Sequence, residues 1–265
     1  MKIINKLIKT FKTSFQLGDG FFYKIKLVLI SILISIRKRL KIKKFVLFKL
    51  RLKKYGKSFD VYVSDDSDLA VLEEIFIKDE YKKDLKSNPN IIFDLGSNIG
   101  LSVIYFKLRY PEAKIYAFEP DPETFEKLKK NTSQFKDVFC FNLAVASKTG
   151  KEKFYIYPNS SMSSSLLKRV DDESFVEVIT KSLDDIINEQ NIQKIDLMKF
   201  DIEGSEYDVF RSFNSIKIVD NLLGELHLDL MKINKNDFFS IFHDYKKECK
   251  NLKPNGSRSL VFLKK

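Results

Sequence analysis

The stretch at residues 91–106, IIFDLGSNIGLSVIYF, constrains the fold of this chain more than any other segment. Three apolar residues lead into Asp94, a turn with Gly96 and Gly100 follows, and apolar residues then resume at helical spacing until Pro111. Strand, short turn and helix in this order form the repeating unit of open α/β sheets. Such sheets bind ligands at the carboxyl ends of their strands, where glycine lets the backbone approach closely. The stretch therefore predicts an α/β fold with a ligand-binding loop at residues 94–100.

The rest of the chain alternates between short apolar runs and helical stretches of about 10–15 residues. Strands are predicted at residues 59–63, 90–96, 114–120, 138–145, 195–204 and 221–228. Helices are predicted at residues 65–83, 101–110, 122–131, 182–190, 206–213 and 234–245. The sequence PNGS within residues 246–265 favours a turn between two further strands. We expect a mostly parallel sheet with helices on both faces and an antiparallel hairpin at its C-terminal end.

Residues 1–57 differ from the rest of the chain in charge. They carry 17 Lys and Arg against the single acid Asp19, which leaves 30 basic and 35 acidic residues for residues 58–265. We interpret them as a basic helical segment before a catalytic domain at residues 58–265. Their apolar run at residues 27–36 is shorter than the about 20 residues of a transmembrane helix. The segment fits an anionic membrane surface or a helix packed on the main domain, and these interpretations are compatible.

Charge and cysteine content also narrow the class of protein. A nucleic-acid enzyme more often spreads basic residues around its active-site domain, which is net acidic here, so no nucleic-acid partner is predicted. Basic rather than small residues follow the apolar run, which argues against a cleaved signal peptide. Cys140 and Cys249 lack disulfide or metal-ligand spacing and are expected to pack as small apolar groups. We expect a cytoplasmic protein, peripheral on the inner membrane face if residues 1–57 bind lipid.

The chemistry of the loop favours one cofactor over another. A dinucleotide site usually has G-x-G-x-x-G, whereas this loop reads D-L-G-S-N-I-G. Asp94 would repel a pyrophosphate but suits the cationic ammonium and sulfonium groups of S-adenosylmethionine. Glu119 ends the next predicted strand, where it is positioned to accept hydrogen bonds from both ribose hydroxyls. The pattern favours a class I methyltransferase, with its Rossmann-like sheet, over a dehydrogenase.

Three segments resemble the FkbM family of S-adenosylmethionine-dependent methyltransferases. They are DLGSNIG at residues 94–100, AFEPDPETFEKLKKN at residues 117–131 and LMKFDIEGSEYDVF at residues 197–210. NLAVASKTG, TKSLDDII and GELHLDL fall in the family's order between and after these segments, and the resemblance covers about residues 59–227. It implies methyl transfer from S-adenosyl-L-methionine to an oxygen acceptor. The implied cofactor-binding residues are Asp94, Gly96, Ser97, Asn98, Gly100, Glu119, Pro120, Asn142 and Ala144.

Candidate catalytic residues follow two later strands. Asp201 comes after IDLMKF and His227 after NLLG, so neighbouring strands would bring them to one cleft. His227 is the better general base by its ordinary pKa, while Asp201 is expected to bind acceptor hydroxyls, orient the methionine amino group or take the proton. Glu203 and Glu225 are candidate substrate contacts. Each also has a structural interpretation, as a hydrogen-bonded histidine at the sheet rim or an acid in a turn.

A serine-rich loop at residues 157–169 is predicted to cover the substrate. Its hydroxyls, Ser163 and Ser164 among them, are suited to hydrogen-bond a sugar, although a flexible linker would have the same composition. The acids and His227 are plausible ligands for a hard divalent ion, but no spacing demands one, and no metal is predicted.

These observations lead to a functional hypothesis with two alternatives. The hypothesis is an O-methyltransferase that acts on a sugar hydroxyl in glycan or glycolipid biosynthesis, at the cytosolic membrane face. The first alternative is an O-methyltransferase for a natural product or small molecule. The second is a non-catalytic cofactor-binding protein, against which the presence of Asp201 and His227 argues. The sequence does not indicate an oligomeric state.

Overall fold

The fold is described from a computed structural model, which describes residues 2–40, 42, 46–157, 164–169 and 174–265, with side chains from Thr10 onward. The helices are α1 (Lys2–Leu17), α2 (Phe21–Arg39), α3 (Asp66–Phe76), α4 (Leu101–Arg109), α5 (Pro122–Thr132), α6 (Leu183–Glu189), α7 (Glu206–Ser212) and α8 (Lys235–Ser240). The strands are β1 (Phe48–Lys54), β2 (Lys57–Val63), β3 (Ile91–Leu95), β4 (Lys114–Phe118), β5 (Val138–Phe141), β6 (Ala144–Val145), β7 (Gly150–Ile156), β8 (Ser174–Lys181), β9 (Leu197–Phe200), β10 (Asn221–His227), β11 (Lys246–Asn251) and β12 (Arg258–Lys264).

A seven-stranded sheet forms the centre of the molecule, in the order β11-β12-β10-β9-β3-β4-β5. The five strands β10, β9, β3, β4 and β5 pair with one another in parallel. Strand β12 is antiparallel to both β10 and β11. The mostly parallel sheet and the C-terminal antiparallel hairpin are therefore confirmed. The strand order reverses beside β3, so the loop after β3 lies where open α/β sheets bind ligands.

Apolar side chains cover both faces of this sheet. One core cluster joins α4 and inward-facing residues of β3 and β4 to α1, α2, α3 and the β1-β2 hairpin. The other joins the opposite face to α6, α7 and α8. Buried phenylalanines fill much of the second cluster, among them Phe200, Phe210 and Phe238. Two-sided burial explains why the central strands read as continuous apolar runs rather than as alternating sequences.

The N-terminal segment is helical only in part. Helices α1 and α2 agree with the predicted helical segment, whereas residues 48–54 form strand β1, which pairs with β2 in antiparallel register from Phe48↔Val63 to Lys54↔Lys57. The expected boundary between residues 57 and 58 thus falls inside a hairpin. Leu50 and Leu52 are buried between basic residues, and this period of two is a strand signal that the overall charge of the segment obscured.

Two smaller expectations also need correction. The helix predicted at residues 65–83 ends at Phe76 because Lys54 Nζ of the hairpin donates to the Phe76 carbonyl and Asp79 adopts a left-handed φ of 50°. Both cysteines are free, but only Cys140 is partly packed, and Cys249 is exposed. Strand β11 lies at the sheet edge with all of its residues exposed, so Cys249 does not enter the core.

Candidate active site

The loop after β3 takes a conformation that needs glycine. Gly96 has a φ of 74°, and a Cβ at this position would lie 2.0 Å from the carbonyl oxygen of Asp201. Asn98 is also left-handed, with a φ of 49°. The amides of Gly96 and Ser97 both donate to the Phe118 carbonyl, at 3.1 and 2.9 Å, which binds the loop to the end of β4. The loop is thereby held close to both neighbouring strands, with no room for a larger residue at position 96.

Asp94 supports this loop from below rather than facing the cavity. Its side chain is fully buried, and Ser102 Oγ donates to Oδ2. Lys199 Nζ lies 3.1 Å from Oδ1 but directs its hydrogen bonds to the carbonyls of Gly96, at 2.7 Å, and Leu95, at 3.4 Å. The contact between Asp94 and Lys199 is therefore a buried charge pair without a directed hydrogen bond. Asp94 was predicted to face the cofactor, whereas the structure gives it the position of a loop support.

Glu119 lies at the end of β4 and lines the cavity, as its predicted role requires. Its two carboxylate oxygens accept hydrogen bonds from the amides of Asn98 and Asp121, both at 2.9 Å. Burial nonetheless raises the pKa of Glu119 to about 8, because desolvation outweighs these hydrogen bonds. Asn142 donates to the carbonyls of Glu119 and Pro120, each at 2.9 Å, and so holds this strand end from outside the cavity lining.

The cavity includes most, but not all, of the predicted cofactor residues. Those that line it are Gly96, Ser97, Asn98, Glu119, Pro120 and Ala144. Asp94, Gly100 and Asn142 are not part of the lining. The sequence interpretation missed Tyr81 and Glu80, which line the cavity from the segment after α3. Tyr81 stood inside a predicted helix, so its position in the sequence carried no functional signal.

A group of acids surrounds His227 at the neighbouring end of the cavity. In the register of β9 and β10, Phe200 pairs with Gly224, so Asp201 and Glu225 follow directly on adjacent strands. His227 Nε2 lies 3.5 Å from Glu225 Oε1, 3.6 Å from Glu203 Oε1 and 3.8 Å from Asp201 Oδ1. The three acids line the cavity, whereas His227 is fully buried behind them. The expected meeting of these residues at one cleft thus occurs in the structure.

Glu206 fixes the orientation of His227. It is fully buried, its Oε1 lies 2.8 Å from His227 Nδ1, and its carboxylate accepts from the Gly204 amide. The sequence gives no signal for this role of Glu206, because the partner that it orients, His227, lies on the distant strand β10. Burial alone would lower the pKa of His227, but the hydrogen bond to Glu206 and the nearby carboxylates raise it to about 10.

The charges of the acids depend on their surroundings. Burial and the charge of Asp201 raise the pKa of Glu225 to about 7. Desolvation also raises the pKa of Glu203, although Arg169 NH2 donates to its Oε2 at 2.9 Å. Arg258 of β12 lines the same cavity, 3.7 Å from Glu225 Oε1. Asp201 has the most exposed of these side chains, at 32%, so it is the acid most accessible to an acceptor.

The serine-rich loop is only partly described. Ser163 lies outside the described residues. Ser164 lines the cavity, and its hydroxyl accepts a hydrogen bond from the Tyr157 amide at 3.1 Å. A substrate contact by Ser164 therefore remains a prediction, now with a position at the cavity wall.

The fold and this site together define a class I S-adenosylmethionine-dependent methyltransferase. This assignment rests on the strand order, the glycine loop after β3 and the acid at the end of β4. The sequence profile of the Methyltransferase FkbM domain matches residues 94–244. The chain therefore belongs to the FkbM methyltransferase family, and its cofactor is S-adenosyl-L-methionine.

Several relatives share part of the chain. Methyltransferase sdnD of Sordaria araneosa is 32% identical over 174 residues, which cover 53% of this chain and 67% of that protein. Hexuronic acid methyltransferase AglP of Haloferax volcanii is 26% identical, over 52% of this chain and 56% of its own. The 2-O-methyltransferase NoeI of Sinorhizobium fredii is 28% identical, over 47% and 57%. This chain thus spans little more than half of the last two proteins.

A solved structure gives a more distant comparison. Fibrillarin of Aeropyrum pernix with natively bound S-adenosyl-L-methionine aligns with 84% of this chain and 83% of its own, at 12% identity and a TM-score of 0.45.

Proposed function

We propose that this protein is an O-methyltransferase that methylates a sugar hydroxyl in glycan or glycolipid biosynthesis. The observation that carries the proposal is the group of cavity-lining acids, Asp201, Glu203 and Glu225, directly beside the cofactor loop. Carboxylates accept hydrogen bonds from hydroxyl groups, and a site with several acceptors suits a polyhydroxylated substrate. AglP and NoeI, whose names indicate a sugar acid and an oxygen position, support this class of acceptor.

In the proposed reaction S-adenosyl-L-methionine would supply the methyl group to the acceptor oxygen, and the sulfur would keep the electron pair of the broken carbon–sulfur bond. The hydroxyl proton passes to Asp201, the most exposed acid of the group. His227 is unsuited to take the proton directly, because it is fully buried and its raised pKa leaves it protonated at neutral pH. The protein mainly aligns the two reactants, which is where such displacements gain most of their rate.

Cofactor contacts follow from the positions of the cavity residues. The Glu119 carboxylate would accept hydrogen bonds from the ribose hydroxyls, and the loop at residues 96–98 would contact the rest of the cofactor through its backbone. Asp94, Gly100 and Asn142 would act by holding the loop and the end of β4. This division keeps all nine predicted residues in the cofactor site but gives three of them indirect roles.

We also propose that the N-terminal helices place the enzyme at an anionic membrane surface. One face of α2 is buried on the fold through Leu27, Ile30 and Ile34. The opposite face of α2 and its C-cap residue expose apolar side chains, with relative exposures of 44% to 69%. We call this surface the α2 outer face. Its members are Phe22, Ile25, Leu29, Leu33, Ile36 and Leu40. Basic residues at the end of α2, such as Arg37 and Arg39, complement anionic lipid headgroups. The two interpretations of this segment, packing and membrane contact, are thus assigned to opposite faces.

In the described part of the chain, no helix has the length and hydrophobicity that crossing a bilayer requires. In our proposal the α2 outer face lies on the surface of the membrane, with its apolar side chains inserted at the boundary between headgroups and acyl chains.

The test of the acceptor class is mass spectrometry of the glycan and lipid fractions from cells with and without the protein. We expect a glycan or glycolipid to lose the mass of one methylene per missing methyl group. Re-expression of the wild type should restore the methylated species, while the Asp201→Asn variant should not. A change confined to a small secondary metabolite would instead identify the natural-product alternative, and no mass change in any fraction would contradict the proposal.

A further inference from the structure

We infer that Asp201, Glu225 and His227 bind a divalent metal cation. One oxygen of each acid and one ring nitrogen of His227 lie within 4.8 Å of one another. Spacing in the sequence did not predict a metal, because the ligands come from two strands and only their register brings them together. Cation binding is a property of this cluster that does not depend on the proposed methyl transfer.

The orientation of His227 supplies the first argument. A carboxylate accepts but does not donate, so Glu206 requires the hydrogen of His227 on Nδ1, 2.8 Å away. The other nitrogen, Nε2, is fully buried and has no hydrogen-bond partner. A cation bound between the carboxylates would displace the proton from Nε2, and the imidazole would then direct its lone pair at that cation. A carboxylate behind a histidine is also the usual way in which proteins orient an imidazole ligand toward a metal.

Distances supply the second argument. The three contacts of His227 Nε2 with carboxylate oxygens, from 3.5 to 3.8 Å, exceed the about 2.7–3.2 Å of a protein hydrogen bond. Two ligands of one metal ion, each bound at about 2.0–2.2 Å, lie about 3–4 Å apart. The separations of His227 Nε2 from Glu225 Oε1 and Asp201 Oδ1, 3.5 and 3.8 Å, match two pairs of ligands on one cation better than a shared proton, which would draw Nε2 and one oxygen closer together.

The balance of charge supplies the third argument. Glu203 has a cationic partner in Arg169, at 2.9 Å, and Glu225 has Arg258 at 3.7 Å. Among the described residues, the cationic partner of Asp201 within 4 Å is His227, 3.8 Å from Oδ1. Three carboxylates that converge in a partly buried site are costly unless cations neutralise them, and a divalent ion would neutralise them more fully than one imidazolium.

The donor set indicates the kind of metal and its use. Two carboxylates and one imidazole suit ions that accept both oxygen and nitrogen, and Mn²⁺ is a suitable probe of this class. Because Asp201 and Glu225 line the cavity, the open coordination positions face the space for the acceptor. A bound cation would hold the acceptor oxygen and lower the pKa of its hydroxyl, so that Asp201 could take the proton through its second oxygen. This use of the metal rests on the proposed function, whereas its binding does not.

The experiment is a titration of the full-length, chelator-treated protein with Mn²⁺, in which the loss of the electron paramagnetic resonance signal of free Mn²⁺ reports binding. We expect one site, with affinity reduced at least tenfold in Asp201→Asn and in Glu225→Gln. Glu206→Gln should weaken binding by about 10–100-fold, because it loosens the imidazole without removing a ligand. The matched control is Glu126→Gln, an exposed acid on α5 that should bind Mn²⁺ as the wild type does.

Two outcomes would overturn the inference. One is a wild type that leaves the free Mn²⁺ signal unchanged and gives no heat of binding when it is titrated calorimetrically with Mg²⁺ or Zn²⁺. The other is unchanged Mn²⁺ affinity in both ligand variants. Calorimetric titration of the same samples with S-adenosylhomocysteine separates this result from the proposed function. If the protein does not bind Mn²⁺ but still binds the cofactor and transfers methyl groups in the presence of chelator, the metal site is rejected and the proposed function is retained. Mn²⁺ binding by a protein that lacks cofactor binding rejects the methyltransferase function and retains the metal site.

Discussion

At the scale of single residues, we predict that Glu119 couples cofactor affinity to pH. Its raised pKa of about 8 means that much of the carboxyl group is protonated at neutral pH, while the ribose hydroxyls need the ionised form as acceptor. As pH rises through this pKa the ionised fraction grows, so the affinity for S-adenosylhomocysteine should increase from pH 6 to pH 9. The gain should reach about tenfold per pH unit well below the pKa. Calorimetric titration across this range measures it.

Glu119→Gln is the control for this pH dependence, since glutamine keeps the shape but does not titrate. Its affinity at pH 9 should be weaker by about 1.5–3 kcal/mol, the value of a hydrogen bond to a charged group. Titration of the cofactor's own amino group would persist in the variant, so only the difference between the two profiles reports Glu119. Identical profiles would remove Glu119 from the cofactor site.

Asp94 should contribute to the stability of the fold through its buried contact with Lys199. In Asp94→Asn, Lys199 stays buried at 3% exposure without its counter-charge. Breaking a buried pair by removing one partner costs about 3–5 kcal/mol of unfolding free energy. Denaturant unfolding followed by circular dichroism measures this loss. The double variant Asp94→Asn with Lys199→Met should recover part of it, and a single variant as stable as the wild type would show that the pair contributes little.

Asp201 is the residue whose loss should affect turnover without affecting cofactor affinity. Asp201→Asn should lower kcat by about 10²–10⁴-fold if it accepts the hydroxyl proton. S-adenosylhomocysteine affinity should be retained, because in the proposed site the Asp201 carboxylate would contact the acceptor rather than the cofactor. Steady-state kinetics and calorimetry on one preparation test both points, with Glu126→Gln as reference. Turnover near the wild-type value would assign the proton to another group.

At the scale of elements, helix α2 has one apolar face that is buried on the fold and another that is exposed. Substitution of Leu29 and Leu33 by glutamate places charge on the α2 outer face and leaves the buried face unchanged. We expect the wild type to sediment with anionic vesicles and to be released only partly by high salt. At high salt the double variant should stay in the supernatant. Its apolar face no longer inserts, and salt screens the remaining attraction of about 1 kcal/mol per basic residue.

The matched control carries the same charge change on another element. Phe175 and Ile179 of β8 are 50% and 51% exposed, and their replacement by glutamate should leave vesicle binding intact. Deletion of residues 1–57 is a poorer test, because it removes β1 from its hairpin with β2. If the wild type fails to sediment, the N-terminal helices are a packing layer only.

At the scale of the whole molecule, the N-terminal helices and the sheet share one core. Leu27 of α2 belongs to the same buried cluster as Ile92 and Ile115 of the central strands. We therefore expect one cooperative unfolding transition rather than separate unfolding at the predicted boundary. Leu27→Ala should lower the unfolding free energy by about 2–5 kcal/mol, whereas the neighbouring exposed Leu29→Ala should change it by less than about 0.5 kcal/mol.

Hydrogen exchange measured by mass spectrometry checks the same point without a variant. The amides of α2 and of β3 should open with similar free energies if they belong to one cooperative unit. Exchange of α2 at a much lower free energy would support the division into residues 1–57 and 58–265 instead.

Local signals were sufficient for most of the fold. The strand that ends at Asp94, the glycine turn and the acid at Glu119 each depend on neighbours within the segment, so the cofactor edge of the sheet was predictable. The final hairpin was predictable for the same reason, since its turn residues are contiguous. By contrast, β1, β7 and β8 were missed, because pairing with another strand, β1 with β2 and β7 with β8, rather than composition makes each of them a strand.

The sequence by itself determined which chemical groups are available and in what order the strands deliver them: a glycine loop, the acids of one edge and a single histidine beside them. Only the tertiary structure decided what each group does. Asp94 meets Lys199 and Glu206 meets His227 across separations of 105 and 21 residues, and burial, which depends on all the surrounding elements, turns these contacts into a loop support and an oriented imidazole. Charge, pKa and access to the cavity are properties of that three-dimensional environment, because desolvation and pairing act over ångströms of space and not along the chain.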